Sequence, residues 1–103
     1  MTLPRVIAAA LLLASCAGRT GNLSEGATVA DGFLRGIELG EPSRLMFISR
    51  RGTEYAIACT RQCSKVLEDP GAWMGQSVRV RVRINTTPGR PRYELVGLRQ
   101  IRG

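Results

Sequence analysis

Between Ser77 and Ile84 the chain reads Ser-Val-Arg-Val-Arg-Val-Arg-Ile, and this alternation constrains the fold more than any other feature. A helix would scatter the valines around its circumference. A strand, whose side chains have period two, gathers Val78, Val80, Val82 and Ile84 on one face and Arg79, Arg81 and Arg83 on the other. The apolar face must be covered by a core, while the arginine face meets water or a partner. One strand makes no core, so the rest of the chain has to supply further strands around the same valines.

Those strands are legible. Thr28–Leu39 alternates and is partly β-branched, with Val29 and Phe33 expected to point inward and Gly32 and Gly36 to permit a bend. Arg44–Ser49 and Thr53–Cys59 form the second and third strands around Arg50-Arg51-Gly52, a tight turn in which Gly52 suits a positive φ. Tyr93–Ile101 is the last strand, with Leu95 and Leu98 inward across an irregularity at Gly97. Residues 60–69 lose the alternation. Thr60 can cap a short helix there, with Cys63, Val66 and Leu67 on one face, and Pro70-Gly71 ends it.

Five strands with one short helix between the third and fourth resemble an OB-fold, the partly open Greek-key barrel. The stretch Trp73-Met74-Gly75-Gln76-Ser77-Val78-Arg79-Val80 adds to the likeness, an apolar residue and a glycine turn leading into alternating valines. The resemblance covers about residues 27–102 and includes the C-terminal OB-like domains of some envelope-stress lipoproteins. It implies an all-β fold: a small five-stranded OB-like barrel over residues 27–103, with a helix between strands 3 and 4, after an N-terminal signal segment. A chain of 103 residues holds one such domain.

The N-terminus carries an address. Arg5 precedes an apolar run from Val6 to Ala14, which at ~9 residues has the length of a signal h-region and falls far short of a membrane span. Leu13-Ala14-Ser15-Cys16 follows, and it resembles the lipobox of bacterial lipoproteins: an aliphatic residue, two small ones, then cysteine. The resemblance implies a signal peptide over residues 1–15 and lipidation of Cys16, whose thiolate accepts a diacylglyceryl group. It also implies a lipid-held, periplasm-facing protein of the bacterial cell envelope. Residues 16–26, rich in glycine and small polar side chains, read as the lipidated cysteine and a flexible tether. Ala17 stands where an aspartate would mark inner-membrane retention, which points to the outer membrane.

With Cys16 acylated, Cys59 and Cys63 remain as a pair in an oxidising compartment. A structural disulfide is the expected state. A free or metal-binding pair and a redox pair are the alternatives, the latter one residue wider than Cys-x-x-Cys. Catalytic chemistry finds little to work with. The chain has no histidine, which excludes a Ser-His-Asp triad, a Cys-His pair and histidine metal sites, and three cysteines cannot complete a four-ligand zinc site. The acids Glu25, Asp31, Glu38, Glu41, Glu54, Glu68, Asp69 and Glu94 show no paired spacing. No enzyme activity, metal, cofactor or small-molecule substrate is expected.

The standout feature is cationic. Lys and Arg total 15 against 8 acids, a formal +7, and Lys65 is the one lysine. Arg79, Arg81 and Arg83 on one strand face, with Arg50 and Arg51 at a hairpin tip, are the candidate sites for an anion or an acidic partner, since guanidinium pairs bidentately with phosphate and carboxylate. The plainer alternative is a solvated face paired to cross-strand acids such as Glu94 or Glu54. Nucleic acid is disfavoured as a partner, because several of Phe33, Phe47, Tyr55, Trp73 and Tyr93 must fill the core, which makes a poor stacking platform, and because a lipid-anchored periplasmic location removes it in ordinary circumstances. The expected function is a lipid-anchored envelope binding module, non-enzymatic, docking to an envelope protein or anionic polymer. The alternative is a structural accessory of a secretion or conjugation assembly.

Overall fold

The computed structural model describes residues 20–101, so the expected signal segment 1–15 and Cys16 lie outside the described residues. Five strands, β1 (Val29–Glu38), β2 (Arg44–Ser49), β3 (Glu54–Ala58), β4 (Ser77–Ile84) and β5 (Tyr93–Gln100), close into a barrel in the order β1-β2-β3-β5-β4. Every neighbouring pair is antiparallel except β3 and β5, which run parallel and meet at Ala58 and Glu94 alone. This is the OB-like barrel, and β2 and β4 have the bounds expected of them.

Between β3 and β4 the chain turns helical. Thr60 caps a 3-10 turn (Arg61–Cys63) by accepting from the Gln62 backbone N–H, and α1 (Ser64–Glu68) follows directly. Pro70 does end α1, but it also opens a further turn, α2 (Pro70–Trp73), because its fixed φ suits the first helical position. Val66 is fully buried and Cys63 nearly so, whereas Leu67, expected on the same face, is 49% exposed. Leu67 follows Val66 by one residue, a rotation of about 100° that carries it off the inward line.

The inward face of β1 differs from expectation by one register step. Ala30, Gly32 and Leu34 are buried, while Val29 is half-buried and Phe33 is 43% exposed. The reason is crowding: a Cβ on Gly32 would lie 2.0 Å from the Ile48 carbonyl oxygen, so β1 passes β2 at a distance only glycine allows. Where β1 crosses β2 most closely its interior holds only Ala30 and Gly32, Leu34 is the strand's one large buried side chain, and Phe33 lies outside. Arg35 and Gly36 together oppose Met46 in a bulge, and beyond it Ile37 packs against the core.

On β5 the irregularity beside Gly97 is a bulge at Val96, which has no partner between the pairs Leu95–Val82 and Gly97–Arg81. It lets Leu95 and Leu98 both point inward, where they join Val78, Val80, Val82, Leu45, Phe47 and Ile57. Residues 20–26 do not stand clear of the barrel. Leu23, in a 3-10 turn (Leu23–Glu25), is buried in the core, and Ser24 Oγ lies 3.1 Å from the Tyr55 hydroxyl. Packing thus begins upstream of residue 27. Cys59 and Cys63 sit at disulfide distance with Cα atoms 5.4 Å apart, tying the end of β3 to the helical segment.

Candidate functional site

Arginines occupy two surfaces of the barrel in different ways. Outside β1, β2 and β3, Arg35 pairs with Glu54 and Arg44 with Glu38, each an exposed ion pair between neighbouring segments. Phe33, Met46, Ile48 and Ala56 fill the spaces between them. This is the strand 2–3 side on which OB-folds commonly bind ligands, and its charges are matched. Outside β4 and β5 only Arg79 is matched, by Asp31 of β1. Arg81, Arg83 and Arg99 have no carboxylate within 4.0 Å among the described residues.

Alternation on β4 puts Arg79, Arg81 and Arg83 outside the barrel, with Val78, Val80 and Val82 buried beneath. Arg79 stands between two neighbours: Asp31 opposite it on β1 and Arg99 opposite it on β5. Its guanidinium holds Asp31 in a two-point bond, Nε to Oδ1 at 2.7 Å and Nη2 to Oδ2 at 3.0 Å. That bond is the main reason the Asp31 carboxyl titrates below its ordinary value. The charges of Arg79, Arg50 and Arg99 add to it, and partial burial opposes it. The same bond raises the Arg79 guanidinium further above its usual range. One carboxylate therefore serves three arginines, although Arg79 and Arg99 face each other as like charges across adjacent strands.

Gly97 opposite Arg81 leaves room beside the ladder. A cleft of about 460 Å³ opens there, with Arg79, Arg81, Arg99 and Gln62 supplying its polar wall and Val29 and Leu98 its apolar one. Arg83 lies outside this cleft, opposite Glu94, whose carboxylate instead accepts from the Asn85 amide. Arg50 and Arg51 are exposed at the β2–β3 tip and line a second cleft with Thr20, Gly21, Asn22, Glu25 and Asp31. Of the cations singled out from sequence, Arg79 and Arg81 share one cleft, Arg50 and Arg51 share the other, and Arg83 stands apart.

Arg99 and Gln62 were not legible from the sequence. Arg99 enters the ladder through the register of β4 against β5, which the Val96 bulge sets and no local pattern reveals. Gln62 arrives with the helical segment. Among the aromatic residues, Phe47, Tyr55 and Tyr93 are buried and Trp73 packs against the core, which leaves Phe33 outside. No family model matches the chain, and no curated protein or solved structure gives a significant match. The fold and the face define a class: a small OB-like barrel with a surplus of arginine along β4 and β5.

Proposed function

We propose that the chain is a lipid-anchored, non-enzymatic binding module of a bacterial cell envelope, and that its β4–β5 arginine face takes an anionic envelope partner, protein or polymer. One observation carries the reading: on the strands, Arg35, Arg44 and Arg79 each have a carboxylate partner, whereas Arg81, Arg83 and Arg99, all on β4 and β5, have none among the described residues. Solvated surface arginines have no need of a shared side, and like charges on adjacent strands cost stability unless something offsets them. A row of guanidinium groups at strand spacing, ~7 Å between alternate residues, suits carboxylates or phosphates displayed on an extended partner.

The address comes from the Leu13-Ala14-Ser15-Cys16 box. Mass spectrometry of the mature N-terminus tests it: an acylated Cys16 is expected, and an unmodified one would refute the anchor. The face is tested by capturing partners from detergent-solubilised envelopes with the full chain and its Arg81→Gln/Arg83→Gln/Arg99→Gln variant, at low and high salt. Capture by the parent chain should fall as salt rises, and the variant should capture little at either concentration. Equal capture by both chains would overturn the role of the face. A stoichiometric partner held at high salt by both chains would point instead to a structural accessory of an envelope assembly.

A further inference from the structure

We infer that the Arg50-Arg51 hairpin seats the barrel on anionic lipid headgroups, at the place where the N-terminal tether arrives. The inference rests on the reading that Cys16 carries lipid. It concerns a surface other than the β4–β5 cleft.

The hairpin tip is a stiff platform. Gly52, at φ 89°, turns the chain, its N–H donating to the Ser49 carbonyl at 2.8 Å, while the Ser49 N–H donates to the Thr53 carbonyl at 2.9 Å. The Thr53 N–H donates to Ser49 Oγ at 3.2 Å, and the Arg50 N–H reaches the Asp31 carbonyl at 3.3 Å. Both arginine side chains are exposed, with no carboxylate at ion-pair distance among the described residues. Asp31, in the same cleft, is already held by Arg79, and Glu25 is the remaining acid there.

The incoming chain is fixed beside this tip. Thr20, Gly21 and Asn22 line one cleft of about 260 Å³ with Arg50 and Arg51. The Gly21 N–H donates to the Val29 carbonyl at 2.9 Å, and Leu23 is buried in the core. Cys16 therefore lies only seven residues from a fixed point, a reach of at most ~25 Å when fully extended. An acyl chain on Cys16 would hold this end of the barrel near the bilayer. The cations at that end would meet lipid phosphates at high effective concentration. Near an anionic leaflet each arginine strengthens association about fivefold, so the pair is expected to contribute about 25-fold.

The test removes the acyl chain so that the arginines act alone. The chain starting at position 16, with Cys16→Ser, retains every described residue, including the whole core from Leu23 to Leu98. Its binding is measured by co-sedimentation with phosphatidylcholine vesicles, with and without phosphatidylglycerol. Binding should require phosphatidylglycerol. It should fall about 25-fold in Arg50→Gln/Arg51→Gln, change little in Arg81→Gln/Arg99→Gln, and withstand millimolar inorganic phosphate. Melting curves of the variants check that each is folded.

Absence of binding to the anionic vesicles, equal binding by the Arg50/Arg51 variant, or an equal loss in the Arg81/Arg99 variant would each overturn the proposal. Abolition by inorganic phosphate would overturn it too, and would identify a free-anion site instead. The lipid anchor is read independently by mass spectrometry of the mature chain, so failure of either idea leaves the other measurable.

Discussion

A methyl group added at Gly32 would meet the Ile48 carbonyl oxygen at 2.0 Å and Phe47 Cζ at 2.9 Å, and backbone on one side leaves nothing free to move. Gly36, four residues on in the same strand, has open space where its Cβ would be. Gly32→Ala should therefore cost about 1–3 kcal/mol or more through overpacking, whereas Gly36→Ala should change urea stability by less than about 0.5 kcal/mol. Equal effects would mean that β1 does not pass β2 so closely. Asp31 supplies a second residue-level test. Its folded carboxyl titrates below the ordinary value, chiefly through the bond from Arg79, so the unfolded chain takes up its proton first as pH falls. The stability it contributes is complete above the unfolded value, about pH 3.9, and is lost as pH falls through the lower folded value. Asp31→Asn should melt lower than the parent chain at pH 7, since Arg79 and Arg99 then face each other without a counter-charge. The gap between the two should narrow as pH falls below the unfolded value and close only beneath the lower folded one. A gap that persists at the lowest pH would mean that packing, rather than charge, is what Asp31 provides.

At the scale of elements, β4 was readable because large apolar and large charged side chains alternate on it, and only one orientation buries valine and hydrates arginine. β1 follows the same rule, but size does not track its two faces. Its interior positions include Ala30 and Gly32 and its exterior ones Phe33, so ranking by hydrophobicity selects the wrong face. The information that corrects it is the close approach of β2, a long-range fact absent from any local window. The same limit hid Arg99, whose place beside Arg79 depends on strand register, while Arg79 and Arg81 followed from alternation alone. The helical segment was legible from its cap: Thr60 does accept from the Gln62 N–H, and Cys59 before it and Cys63 at the end of the 3-10 turn sit at disulfide distance. A ring this small is worth roughly 2 kcal/mol by chain entropy. Reduction, or Cys59→Ala with Cys63→Ala, should lower urea stability by about that amount while leaving the far-ultraviolet spectrum of a barrel. Thiol labelling of the denatured, unreduced chain should find neither sulfur free, and full labelling of both would remove the bridge.

For the molecule as a whole, the seam between β3 and β5 is where the barrel is thinnest. The two strands share one parallel pair, Ala58 with Glu94, whereas β4 and β5 pair along their full length. Past that point β5 would present unpaired carbonyls, the condition of a sheet edge. Two side chains from the helical segment meet them instead. The Thr60 hydroxyl donates to the Leu95 carbonyl at 2.7 Å, and the Lys65 ammonium donates to the Leu98 carbonyl at 3.0 Å. The segment between the third and fourth strands thus completes the barrel wall as well as the core, and Val66 anchors it from the inside. Replacing Thr60 with Val and Lys65 with Met keeps the volumes close and removes both donors. Each lost bond is worth about 1 kcal/mol. Thr60→Val also removes the cap on the Gln62 N–H, worth about 1 kcal/mol, so the double variant should lose about 2–3 kcal/mol of stability. Native-state hydrogen exchange should locate the loss. Amides beside the seam, Ala58 and Glu94 among them, should exchange faster in the variant, while those between β1 and β2 keep their protection. Uniform acceleration over all five strands would mean that the barrel opens only as one unit, and that Thr60 and Lys65 do not hold a separate seam.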